Sequence, residues 1–207
     1  LGINTARTNT TGSYNVALGY QSLYANSSGS HNIAIGKSAL GSNTASGNIG
    51  IGYRALYVNT SGSQNTAIGY DALLANTAGQ LVAIGYNALK ANVGGTENVA
   101  MGYECMVSNT TGSKNTGIGY LSLNANIAGN NNTALGSRSL QSTTGSDNTA
   151  VGYWSLKANT SGAKNTAIGT RALYTTTTGT DSVAIGYEAL YSMAGQYDNT
   201  AIGWKSM

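Results

Sequence analysis

One motif, Asn-x-Ala-Ile-Gly-Tyr-x-Ala-Leu, opens a unit of 16 or 17 residues that returns along the whole chain. Its copies start at Asn15, Asn32, Asn48, Asn65, Leu81, Asn98, Asn115, Asn132, Asn148, Asn165, Ser182 and Asn199. A fixed short period means a stacked array, in which each unit touches mainly its neighbours. Helix-pair repeats need about 33 residues or more. The large aliphatics, at positions 4 and 9 of the unit, also cannot make a 3.6-residue stripe. The array is therefore not helical.

Counting from 1 at the recurrent Asn, positions 1 to 5 read as a short strand closed by a Gly that permits a sharp corner. Positions 8 to 10 read as a second short strand or extended segment. Asn-Thr-x-Gly at positions 12 to 15 is turn chemistry, since both Asn and Gly tolerate the left-handed region. The expected fold is all-β, a parallel β-solenoid or β-roll of about twelve rungs of 16 or 17 residues. Residues 1–207 form a single repeat domain, a rod on the order of 60 Å long at ~4.8 Å per rung. The chain starts and stops in mid-repeat, as expected of a segment of a longer array or of a trimmed product.

Composition sharpens this reading. Only 8% of residues are charged and Gly numbers 29, a balance that points toward disorder unless the apolar residues keep register. Here they do, at fixed positions of every unit. The net charge of +3 is scattered, with no basic run, so no nucleic acid partner is expected. No apolar stretch approaches the ~20 residues that span a bilayer, so no membrane insertion by this segment is expected. Cys105 is the only cysteine and stands in a column of Ala and Ser, where it reads as a small buried filler.

In-register stacking predicts that charges at one position alternate in sign from rung to rung. At position 7, Arg54 is followed by Asp71, and Arg171 by Glu188 and Lys205. In the turn column, Glu97 is followed by Lys114, and Asp147 by Lys164 and Asp181. Position 4 is always Ile, Leu, Val or Met and position 9 Leu or Met from Leu23 onward, so these two columns are expected to fill the core. Positions 3 and 5 are Ala or Gly throughout and face away from position 4. That face of small residues is expected to admit another backbone, and so to drive oligomerisation around an axis along the rod.

Ser182-Val183-Ala184-Ile185-Gly186 and Val82-Ala83-Ile84-Gly85 resemble the SVAIG motif of trimeric autotransporter adhesin heads. The full form, Asn65 to Gly79 or Asn165 to Gly179, is similar to the Asn-Thr-Ala-Ile-Gly-Tyr-x-Ala-Leu repeats of phage tail-fibre-like and bacterial surface proteins. The resemblance covers essentially the whole chain. It implies a left-handed parallel β-roll, three chains together, serving as an adhesive or fibre segment outside the cell or on a virion. The unit is longer than the adhesin-head repeat and carries Tyr after the Gly. The resemblance transfers no catalytic residue.

The candidate binding residues are aromatic. Tyr20, Tyr53, Tyr70, Tyr86, Tyr103, Tyr120, Tyr153 and Tyr187 share position 6, with Trp204 at the last rung. Tyr24, Tyr57, Tyr174 and Tyr191 follow the Leu of position 9. Aromatic columns offer large rigid area with a polar tip to sugars or surface receptors; packing between chains is the alternative use. Trp154, at the mostly polar position 7, is expected to stand out as an exposed contact. The Asn column at position 1 reads as a structural ladder. Asp181 and Asp198 lie on adjacent rungs, but no Asp-rich motif supplies the oxygens that calcium needs. No nucleophile–base pair recurs.

No catalytic residue, metal or cofactor is therefore expected. The leading expectation is a structural, adhesive segment of a homotrimeric extracellular fibre, with a host-surface glycan or receptor as partner. Ice binding through the Thr residues of position 2 is one alternative. A polysaccharide-processing spike is another, disfavoured because no paired carboxylates are visible.

Overall fold

A computed structural model describes residues 2–192, 195 and 197–207. The chain winds as a solenoid with one three-residue strand per rung, from β1 (Val16–Leu18) to β12 (Thr200–Ile202). The twelve strands form one parallel sheet in sequence order. The register is that of the repeat: Thr66 pairs Val82, Ala67 pairs Ala83 and Ile68 pairs Ile84. Leu1, position 4 of the opening unit, lies outside the described residues.

Positions 2 to 4 are the strand, and the second strand expected at positions 8 to 10 is absent among the described residues. That segment is a turn in which positions 7 and 9 both take left-handed φ, 52° at Asp71 and 50° at Leu73. The conformation is unfavourable for a side chain such as Leu, by roughly 1–2 kcal/mol. It persists because it bonds the rung to both neighbours. The Asp71 N–H donates downward to the Tyr53 carbonyl (3.0 Å) and the Leu73 N–H upward to the Ala88 carbonyl (3.0 Å). Leu73 itself is turned fully inside.

The two recurrent glycines have different reasons to be glycine. At position 5 the backbone sits near φ +130 to +140°, as at Gly52 (130°) and Gly69 (139°), which disfavours any side chain. At position 15 no positive φ is needed. There a Cβ on Gly62 would collide with the Ala78 carbonyl of the next rung, so the requirement is close approach.

The core differs from expectation in one decisive respect. Position 3 points inward and position 4 points outward. Ala67, Ala83, Ala100 and Ala184 are fully buried, whereas Leu18, Ile118, Ile168 and Ile202 are 47, 40, 39 and 69% exposed. The small-residue column therefore lines the coil's own interior and makes no outer face for a second backbone. The cause is room. A coil of this circumference is filled by one Leu or Met per rung, with Ala or Gly at position 3 and Ala, Ser or Cys at position 8 around it. Even a methyl is tight in places: a Cβ on Gly117 would lie 2.8 Å from Cys105 Sγ and 2.9 Å from Met106 Cε. Gly117 thus answers the two larger side chains of the rung below. Cys105 is buried as expected, 3.2 Å from the Gly117 carbonyl and 3.0 Å from Ser122 Oγ, and burial pushes its thiol pKa up to about 11.

Two asparagine ladders close the coil. The position 1 ladder matches the expected structural role. The Asn48 N–H donates to Asn32 Oδ1 (2.9 Å) and the Asn65 N–H to Asn48 Oδ1 (3.0 Å), while Asn48 Nδ2 reaches the Gly62 carbonyl (3.0 Å). The second ladder, at position 12, is buried as well. Asn92 Nδ2 donates to Asn76 Oδ1 (3.0 Å), Asn109 to Asn92 (2.9 Å) and Asn126 to Asn109 (2.9 Å). These asparagines do not use the left-handed region expected of a turn Asn. Where Thr143 and Thr176 replace Asn, the amide donor is missing, and Asn126 Oδ1 and Asn159 Oδ1 are left buried without a partner among the described residues.

Candidate functional site

The corner after Gly of position 5 turns position 6 outward, so the tyrosines stack along the rod. Tyr53, Tyr70, Tyr86, Tyr103 and Tyr120 form one continuous column, with ring centroids 4.8, 5.4, 5.0 and 5.5 Å apart and planes within 23°. Successive ring faces cover one another. The column therefore presents edges and hydroxyls to solvent, with Tyr70, Tyr103 and Tyr120 each 45% exposed. A sugar cannot lie on a ring face that a neighbouring ring already occupies. The charge of Glu104, aided by burial, holds the Tyr103 phenol above its ordinary pKa.

The other predicted positions stand apart from this column. Tyr20 is separated from Tyr53 by Lys37, whose Nζ is 5.8 Å from both rings. Tyr153 stacks on Trp154 instead of on a rung neighbour (4.4 Å). Tyr187 is 42% exposed, and Trp204 is 72% exposed with Lys205 Nζ 4.8 Å from its ring. In the second set, Tyr174 and Tyr191 stack at 5.1 Å. Tyr24 and Tyr57 instead flank a cleft of about 230 Å³ opened by Gly41.

Positions 7 and 10 lie side by side on the outside, and here the sequence pattern is realised in two ways. Arg54 grips Asp71 bidentately, Nε to Oδ1 at 2.9 Å and Nη2 to Oδ2 at 2.7 Å, and Lys90 Nζ adds a contact at 3.4 Å. The Asp71 side chain is 1% exposed. The hydrogen bond to Asp71 raises the Arg54 pKa above the ordinary guanidinium value. Glu188 is likewise held by Arg171 (3.1 Å) and Lys205 (3.5 Å). Burial opposes its ionisation, but the bonds from Arg171 and Tyr187 and the charge of Lys205 outweigh it and lower its pKa. These are the sign alternations expected at position 7. The turn-column charges Glu97, Lys114, Asp147, Lys164 and Asp181 form no ion pair among the described residues.

Around Trp154 the arrangement changes. The indole is half-buried, contrary to the expected exposed contact, with Tyr153 on one side and Tyr174 tilted at 5.7 Å. Lys157 Nζ, Arg171 Cζ and Arg138 Cζ lie 4.8, 5.2 and 5.9 Å from its ring. The indole N–H is buried and has no acceptor among the described residues. Reading the sequence by single columns missed these cations. The signal was there: Arg138 and Arg171 occupy position 7 on either side of Trp154, and Lys157 stands at position 10 of the same rung.

Among the described residues no three His, Cys, Asp or Glu side chains gather as metal ligands, Asp181 and Asp198 included. Among the described residues no helix is long and apolar enough to cross a membrane. Asn26, Asn59, Asn109 and Asn159, which fit the N-glycosylation pattern, are fully buried. No protein-family model matches the chain, and neither a curated protein nor a solved structure matches it.

Proposed function

We propose that this chain is a segment of a homotrimeric extracellular fibre, of a bacterial surface adhesin or a phage tail fibre, that contributes to surface attachment. The observation that carries the reading is the outward face of the sheet. Position 4 is aliphatic or Met on all twelve strands and position 2 is Val or Ile on half of them, and both point away from the coil. An apolar stripe running the length of the rod is the kind of exposed surface that marks an interaction site. Its natural complement is the same stripe on another copy, because only an identical rod repeats its side chains at the same rung spacing. The number three comes from the resemblance to adhesin heads. The small-residue face first expected to meet a neighbour is used up inside the coil, so the contact moves to positions 2 and 4.

Light scattering tests this directly. The expected mass is three times that of the 21.0 kDa chain. Ile84→Lys with Ile118→Lys, which places charge on the stripe without touching the interior, reduces it to one chain with an unchanged β-type circular dichroism spectrum. A wild-type chain that is a stable monomer would sink the proposal. A second reading, ice binding, gains something from the outward Thr66, Thr116, Thr133, Thr149, Thr166 and Thr200. The column is interrupted by Val and Ile on the other rungs, and absence of thermal hysteresis removes it.

A further inference from the structure

We infer that the Trp154 cluster is a binding site for an acidic sugar, one carrying a carboxylate or sulfate, assembled within a single chain from Arg138, Trp154, Lys157 and Arg171. The inference concerns the ligand of the attachment reading, but it does not rest on the number of chains.

Elsewhere on this face, paired cations, one from position 7 and the other from position 7 or 10, have a carboxylate to converge on. Arg54 and Lys90 meet at Asp71, and Arg171 and Lys205 meet at Glu188. At the Asn148 unit the equivalent position is Trp154, and three cationic centres stand within 6 Å of its ring. Glu188 compensates Arg171, while Arg138 and Lys157 have no carboxylate partner among the described residues. Cations gathered around one ring repel one another, and attraction to the π face contributes about 0.5–1 kcal/mol per cation at exposed sites. An anion bound by Arg138 from the rung below and by Lys157 from the same rung would supply the negative charge that Asp71, from within the chain, supplies to Arg54 below it and Lys90 above it. Guanidinium binds carboxylate and sulfate oxygens through its fork of N–H donors. The hydroxyls of the neighbouring Tyr153 and Tyr174 suit the hydroxyls of a sugar.

A nucleic acid fits less well. Its backbone needs a positive track along many phosphates, and this cluster is local on a chain with net charge +3. The ring faces that would stack a base are also covered by Tyr153 and the cations.

The test uses Trp204→Phe, which leaves Trp154 as the sole indole, and follows its fluorescence during titration. The probes are a uronic-acid disaccharide, a monosulfated disaccharide, their neutral counterpart, inorganic sulfate and a tetranucleotide. The acidic disaccharides are expected to perturb the emission saturably, at least tenfold more tightly than the neutral one, with affinity falling as salt rises. Inorganic sulfate is expected to bind more weakly. Arg138→Ala and Lys157→Ala each weaken the acidic sugar at least threefold in calorimetry. Trp154→Asp, which installs the carboxylate that Asp71 provides elsewhere, abolishes binding in a folded chain. Equal affinity for the neutral sugar, no binding of either acidic one, tighter binding of the tetranucleotide, or indifference to the Arg138 and Lys157 substitutions would overturn the inference. The chain's mass, measured alongside, reports separately on the trimer.

Discussion

Asp71 and Trp154 occupy the same position of the repeat, five units apart, and the rungs around them solve the same local problem differently. Around Asp71 two cations share one buried carboxylate, and beneath it the position 12 asparagines bond from Asn43 to Asn126. Around Trp154 two cations lack a carboxylate, and beneath it the ladder is broken at Thr143 and Thr176. The backbone is nevertheless the same in both places, with φ 52° at Asp71 and 60° at Trp154. The difference teaches that the coil is held by its backbone and its inward columns. The outer positions are then free to diverge toward self-sufficiency in one stretch and toward a ligand in another.

The comparison breaks if the interiors are not equivalent, which sets the largest expected effect. Leu73 and Leu156, the inward Leu of the two rungs, are both fully buried. Truncating either, Leu73→Ala or Leu156→Ala, is expected to lower unfolding stability in denaturant by about 2–5 kcal/mol. A clear inequality between the two would mean that the regions differ in packing as well as in surface.

Next comes the matched charge. Asp71→Asn leaves Arg54 and Lys90 without their carboxylate. Charge-assisted hydrogen bonds contribute about 1.5–3 kcal/mol, and the cations, about one-third exposed, recover part of that by rehydration. A loss of about 1–2 kcal/mol is expected, shrinking as salt is added.

The smallest effect is a gain. Thr176→Asn should extend the broken ladder, its amide donating to the orphaned Asn159 Oδ1 and to the Gly179 carbonyl, as Asn109 does to Asn92 and Gly112. An increase of about 1 kcal/mol in the same denaturant assay is expected. No gain would mean that the Asn159 amide is already satisfied in solution.

Much of this is legible in the sequence. The register, the in-order parallel stacking of rungs, the position 1 ladder and the Arg54–Asp71 and Arg171–Glu188 pairs all follow from a period that returns like residues to like places, whereas the second strand expected at positions 8 to 10 gave way to a turn. The Trp154 cluster was not read in advance, because it crosses columns. Its members share a site only once positions 7 and 10 are known to be neighbours, and that depends on the left-handed residues at 7 and 9. The tyrosine column was read, but not that its faces are shut against one another.

The repeat by itself determined that this chain is a rod of stacked coils, since no other arrangement brings identical residues together at a constant spacing. Only the tertiary structure decided which side of each strand is inside. Hydrophobicity alone assigns Ile68 and Ile84 to the interior, yet they stand outward and Ala67 and Ala83 are buried. The reason is geometric: closing a rung of 16 or 17 residues leaves space for one Leu and a lining of methyl groups, so the larger aliphatics are displaced to the outer face.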